Sequence, residues 1–131
     1  GFERGEQFVS TFAERYQTYP SSSAASAYSI VYQWADAVAR SGSLESEGLI
    51  RALEGHSYQL LKDTQTWRAF DHQNLQTVYA VRIKPRAEVM ADPLRQDYFK
   101  IIGQLSAEEA AQTLEQWQAE RKVAGQPLRL R

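Results

Sequence analysis

The sequence predicts an α/β protein that is incomplete as a layered fold. Three observations carry this expectation. Apolar residues recur at helical spacing in three successive segments of the first half. The pattern then changes to short runs of period two, followed by one capped helix. Three amphipathic helices need a partner layer, and the strands on offer are few and late. The chain therefore reads as several helices plus a few strands from a larger α/β protein, whose central sheet belongs to sequence absent here.

The first helix is expected over about residues 6–18. Phe8, Val9, Phe12, Ala13 and Tyr16 fall on one side; Gln7, Ser10, Glu14 and Arg15 cover the other. Tyr19 and Pro20 break it, because proline lacks the N–H and restricts the residue before it. Ser21, Ser22 and Ser23 offer cap oxygens for a second helix, over about residues 23–41. Its stripe is Ala24, Tyr28, Val31, Tyr32, Ala35, Val38 and Ala39, with Gln33, Asp36 and Arg40 on a polar side. Gly42 stands where a left-handed C-cap residue belongs. A short third helix, about residues 45–54, carries Leu49, Ile50 and Leu53 and ends at Gly55. Ser43 can cap it, and Glu45 and Glu47 favour its positive end.

Strands follow at about residues 58–62 and 66–70, then a polar break at Asp71, His72, Gln73 and Asn74. The best strand is expected over residues 75–84, where Thr77, Tyr79, Val81 and Ile83 alternate with the remaining positions. Pro85 stops it. Residues 85–104 read as irregular, with one short apolar stretch at residues 98–102. The last helix opens on a capping box, Ser106 with Glu109, and Leu105 is placed to staple onto Ala110. Gly125 and Pro127 close it.

Composition narrows the function. With 43% hydrophobic and 24% charged residues the chain has a globular composition, which argues against disorder throughout. Fifteen Lys and Arg against sixteen Asp and Glu leave a net charge of -1, so a basic nucleic-acid-binding surface is not expected. Cysteine is absent, which rules out disulfides, thiolate metal sites and a cysteine nucleophile. No stretch approaches the roughly 18 apolar residues of a membrane helix. The first residues lack both Met and the pattern of a signal peptide, so the natural chain is expected to begin elsewhere.

No catalytic constellation emerges, and an enzyme is not expected. His56 and His72 stand outside any metal-ligand spacing and read as structural or surface residues. Asp71 beside His72 invites a hydrolase reading, but neighbours in a strand point to opposite faces, and no G-x-S-x-G accompanies them. No glycine pattern forms a phosphate loop, so no cofactor and no metal are expected. Trp34, Trp67 and Trp117 read as packing rings, and the basic residues from Arg121 to Arg131 as a solvated tail.

A family pattern runs through these same residues. Phe8, Phe12 and Tyr16 on one helix are followed by Pro20. A helix then runs through Ala27-Tyr28-Ser29-Ile30-Val31-Tyr32-Gln33-Trp34-Ala35-Asp36-Ala37-Val38 to Ser41-Gly42-Ser43. After these come Ala52-Leu53-Glu54-Gly55, Phe70-Asp71-His72-Gln73 and a strand from Tyr79 to Lys84. In order and spacing this resembles the C-terminal part of type I periplasmic binding proteins, closest to the branched-chain amino-acid (Leu/Ile/Val) receptors of ABC importers. The resemblance covers about residues 6–84. Ser29, where the family has Asp, and the tail from Leu94 depart from it.

The resemblance implies a bilobed fold that grips its ligand in a cleft and closes about a hinge. Residues 1–74 would return to the first lobe, residues 75–104 would cross to the second, and residues 105–131 would form a helix and tail. It further implies a periplasmic or extracellular solute-binding protein that takes an amino acid or another small carboxylate and serves a membrane permease. The same fold serves as a ligand sensor in receptors and regulators, which is the second function carried by the resemblance. The ligand-binding candidates are Ala24, Ala25 and Tyr28 at the start of the second helix. Small residues there leave room for a bulky ligand beside free N–H groups. Close helix packing is the competing role, and Tyr28 suits it best. Asp71, His72 and Gln73 are the hinge candidates. A sheet-facing surface left uncovered predicts self-association of the chain on its own.

Overall fold

Residues 2–130 are described by a computed structural model. The helix α1 spans Glu3–Tyr16 and carries Glu3 and Glu6 in its first turn, where the helix dipole favours acids. Gln17 ends it in the left-handed conformation, φ 55°, with its N–H donating to the Ala13 carbonyl. The helix α2 spans Ser22–Ser41. Ser21 is its N-cap, accepting from the Ala24 N–H, and Gly42 closes it at φ 64°, a conformation that only glycine adopts freely. The helix α3 follows over Ser46–Leu53. Ser43 does not cap it; its hydroxyl accepts from the N–H of Glu45, the residue just before the helix.

Two small sheets come next. In the first, β1 (Ser57–Tyr58), β2 (Gln65–Trp67) and β3 (Asn74–Leu75) pair antiparallel in sequence order. In the second, β4 (Val78–Ile83) pairs antiparallel with β5 (Phe99–Leu105). The strand expected over residues 75–84 is therefore two strands in two sheets, and the chain changes sheet at Gln76 and Thr77. A bulge interrupts the β4–β5 ladder: Ala80 faces Gly103 and Val81 faces Ile101, leaving Ile102 without a partner.

The stretch expected to be irregular holds the helix α4 (Arg86–Ala91) as well as β5. The expected last helix is two. The box of Ser106 and Glu109 caps only α5 (Ala107–Ala110). A second box, Thr113 with Gln116, starts α6 (Leu114–Val123). The two helices cannot be continuous, because Thr113 holds the extended conformation of a cap.

Few side chains are covered. Ala37 and Val89 are the buried apolar residues among those described, and Gln33 and Gln65 the buried polar ones. The chain exposes 9671 Å², where a closed domain of its 14.9 kDa mass exposes about 7,000 Å². The burial of α2 departs from the sequence expectation in part. Gln33, read as a polar-side residue, is buried against the first sheet, while Ile30, Val31 and Trp34 are more than half exposed. Of the expected stripe, Ala24, Tyr28 and Val38 are half-buried, Tyr28 against Phe8 of α1, while Val31, Tyr32, Ala35 and Ala39 are exposed. The ribbon of β4 and β5 is exposed on both faces.

Candidate ligand-binding site

A large cavity, about 1080 Å³, opens between α1, the first turns of α2 and the first sheet. Each wall has its own chemistry. Helix α1 contributes Phe8 and Gly5, whose Cα lies so near the Leu61 carbonyl that no side chain fits between them. Helix α2 contributes Ser22, Ser26 and Ser29, which recur at i, i+4 and i+7 and so lie on one side of the helix. Ala25 stands in that same row of small side chains. The sheet contributes Tyr58, Gln65 and Trp67.

Hydrogen bonds fix the sheet wall. The Trp67 indole N–H donates to Gln33 Oε1 at 3.4 Å, which explains the buried amide on α2. Asn74 donates to the Tyr58 hydroxyl at 3.1 Å. Burial pushes the Tyr58 phenol up, and the Asn74 bond opposes that only in part, so Tyr58 stays protonated at neutral pH. The Tyr58 and Trp67 rings stack at 6.5 Å, and the His56 and Tyr58 rings stack at 6.4 Å. Gln76, at the change of sheet, accepts from Lys62 at 2.6 Å and from Gln65 at 3.2 Å.

The first turn of α2 is partly committed. The Ala24 N–H donates to the Ser21 hydroxyl and the Ala25 N–H to the Ser21 carbonyl, both at 3.1 Å. The Ser22 and Ser23 N–H groups have no partner among the described residues. Donors at a helix start suit an anion such as a carboxylate.

The three expected ligand contacts do not share one cavity. Ala25 lines the large one and Ala24 does not. Tyr28 lines a neighbouring groove of about 640 Å³ between α1 and α2. There its ring meets Phe8 at 4.8 Å and Tyr32 at 4.7 Å in tilted contacts, and Arg4 lies 4.7 Å over the Tyr32 ring. The Tyr28 hydroxyl and the Arg4 guanidinium hold the Tyr32 phenol below its usual value. Phe8 belongs to both walls.

Asp71, His72 and Gln73 form the tip of the turn between β2 and β3, strands of one sheet. Arg68 organises this turn, and sequence reasoning missed it. Its Nε donates to Asp71 Oδ1 at 2.9 Å, its Nη2 to Gln73 Oε1 at 3.2 Å, and its Nη1 to the Gln112 carbonyl at 2.7 Å. Burial acts to raise the Asp71 carboxyl, but Arg68 and the Gln73 N–H outweigh it and hold the group below its ordinary range. His72 adopts the left-handed conformation, φ 59°, and pairs with Glu54 at 2.9 Å. Phe70 and Trp117 meet edge to face at 5.5 Å, which brings α6 onto this turn.

Among the described residues no group of three or more acids and histidines is placed to hold a metal. None of their helices is long and apolar enough to cross a membrane. A cavity of this make-up, with aromatic rings and amides on the sheet wall, Phe8 on α1 and hydroxyls on α2, is equipped to bind a small amphiphilic molecule.

The geometry is that of a segment of an α/β ligand-binding fold: paired helices over a small sheet, then a strand leaving for a second sheet. The chain belongs to the periplasmic binding protein family, whose model matches residues 2–88. Three solved structures share its fold. A periplasmic binding protein from Burkholderia mallei is 23% identical with a TM-score of 0.77, over 87% of this chain and 29% of the other. An ABC-type branched-chain amino acid transporter from Rhodopseudomonas palustris is 28% identical with a TM-score of 0.65, over 79% and 27%. An amino acid ABC transporter substrate-binding protein from Pseudomonas fluorescens is 22% identical with a TM-score of 0.66, over 77% and 26%. The chain thus spans under a third of the length of each. No curated protein matches it.

Proposed function

We propose that this chain is part of the solute-binding component of an ABC importer, a periplasmic receptor that captures an amino acid or another small carboxylate and passes it to the membrane permease. Residues 1–74 are read as the returning segment of the first lobe, residues 75–104 as the crossing to the second, and residues 105–131 as the C-terminal helix and tail. Closure of the lobes about the ligand replaces chemistry, and no residue acts as a nucleophile or base. The observation that carries this reading is the family match over residues 2–88.

Ligand contact is assigned to the α2 start. The unpaired Ser22 and Ser23 N–H groups face the ligand carboxylate, Ala25 in the cavity wall gives it room, and Ala24 flanks them in the same turn. Tyr28 acts from the neighbouring groove, by holding Phe8 against the cavity. Asp71, His72 and Gln73 stiffen the hinge side of the first lobe through Arg68.

The test is a ligand screen on the full-length protein. Thermal shift against amino acids, keto acids and aromatic carboxylates is followed by calorimetry on the hits. A ligand at 100 times its Kd adds about 2.7 kcal/mol to stability, which reads as a shift of several degrees. The expected result is a set of hits that share a carboxylate. A screen in which carboxylates do nothing, or in which an uncharged class binds alone, overturns the reading.

A further inference from the structure

A direct polar tie joins the α1–α2 connector to the loop after α4. The Tyr19 hydroxyl donates to Asp92 Oδ1 at 2.7 Å. The Thr18 hydroxyl donates to Gln96 Oε1 at 2.7 Å, and the Tyr19 N–H donates to that same oxygen at 3.1 Å. The receiving loop is wound around its own carboxylate. Asp92 Oδ2 accepts the Leu94 and Gln96 N–H groups, each at 3.1 Å. Gln96 is thereby held in place to meet the connector, so the bonds form one unit rather than separate contacts.

The connector is not an arbitrary surface. Tyr19 stands two residues before Ser21, the cap of α2, and both line the large cavity. The loop it reaches lies between β4 and β5, past the change of sheet at Gln76 and Thr77. Main chain and side chains on one side of the crossing therefore hold side chains on the other. Burial acts to raise the Asp92 carboxyl, but the Gln96 N–H, the Tyr19 hydroxyl and the Leu94 N–H outweigh it and keep the group charged at neutral pH.

We propose that Tyr19, with Asp92 as its acceptor, is a positioning residue of the binding site: a polar latch between the two lobes that fixes the first turn of α2 and so sets how long ligand is held. This rests on the bilobed reading given above. The latch acts through the α2 cap, beside which Tyr19 lines the cavity.

The test uses the full-length protein with Y19F, which removes only the hydroxyl, D92N, and the two combined. The first readout is a distance distribution in the ligand-free protein. Its labels sit on cysteines introduced at Glu47, whose side chain is 87% exposed, and at the exposed Lys100. The second is the pair of rate constants for whichever carboxylate the screen identifies. Each single variant is expected to broaden or lengthen the distribution, and the double variant to add nothing further. Loss of one such hydrogen bond should raise the off-rate about 3- to 10-fold and leave the on-rate nearly unchanged. A merely structural contact would lower Tm without moving the distance. An unchanged distribution in Y19F overturns the latch, and a changed distribution with an unchanged off-rate overturns its link to binding. If the wild type binds no carboxylate, the importer reading fails, and the ligand-free distances still decide whether the latch exists.

Discussion

Replacing Gly5 by alanine sets two effects of opposite sign against each other. Gly5 is the third residue of α1, and alanine is the better helix former by about 1 kcal/mol in a helix interior, less so close to an end. On propensity alone the change stabilises. The structure reverses the sign. A Cβ at this position would fall well inside van der Waals contact of the Leu61 carbonyl oxygen and 3.2 Å from its carbon. Both obstacles are main chain, so no rotamer change relieves them. Either α1 or the 59–63 loop must move outward by about an ångström, and forced overpacking of this kind costs about 1–3 kcal/mol. The expected net effect is a loss of about 1–2 kcal/mol. Urea denaturation of the full-length protein and the G5A variant reads it directly. With m near 3 kcal/mol/M the midpoint should fall by about 0.5 M. A midpoint equal to or above that of the wild type would refute the close approach of α1 to this loop.

Three further outcomes follow from geometry. Arg68→Gln should cost about 2–4 kcal/mol at pH 7, because breaking a buried pair strands its partner, and the side chains of Arg68 and Asp71 are only 15% and 4% exposed. Asp71 has a lowered carboxyl, so its pairing stabilises the fold above about pH 4, the unfolded value, and is lost as pH falls through the folded one. Urea midpoints should therefore differ between wild type and variant at pH 7 and converge toward pH 2. Thr113→Ala removes the cap of α6 and should cost about 1 kcal/mol, with a local rise in amide exchange over the first turn of that helix. Gln17→Gly relieves a left-handed residue worth about 1–2 kcal/mol, less the extra freedom of glycine in the unfolded chain. A gain of about 0.5–1 kcal/mol, read as a rise of about 0.2–0.3 M in the urea midpoint, checks it.

Helix ends were legible because caps are local. The serines before α2 and Gly42 after it mark its bounds to within a residue or two. The change of sheet at Gln76 and Thr77 was not. Thr77, Tyr79, Val81 and Ile83 alternate without interruption, and alternation tells which face a residue takes but not which sheet it joins. The strand β5 was hidden by its bulge, since adjacent Ile101 and Ile102 break the period of two. Thr113 and Gln116 spell the same box as Ser106 and Glu109 but sit inside an apparently continuous apolar stripe. Of the residues lining the cavity, Ala25 alone was among the ligand-binding candidates. Tyr58, Gln65 and Trp67 come from strands of two or three residues, too short to carry a pattern. Arg68 left no trace either, because a loop cation is committed by its turn and not by its neighbours in sequence.

The change of sheet at Gln76 and Thr77 also has a mechanical consequence. Only two residues separate the last strand of one sheet from the first of the next, so about four backbone torsions accommodate any relative swing. Lys62 and Gln65 grip one of those residues, and the Asp63 carboxylate accepts from the Thr77 hydroxyl of the other. The six residues of β4 then act as a lever arm of about 20 Å. A rotation of about 10° at this pivot carries the far end of the ribbon through roughly 3.5 Å over that length. A torsional adjustment of that size at these two residues would thus displace the ribbon by a distance comparable to a small ligand.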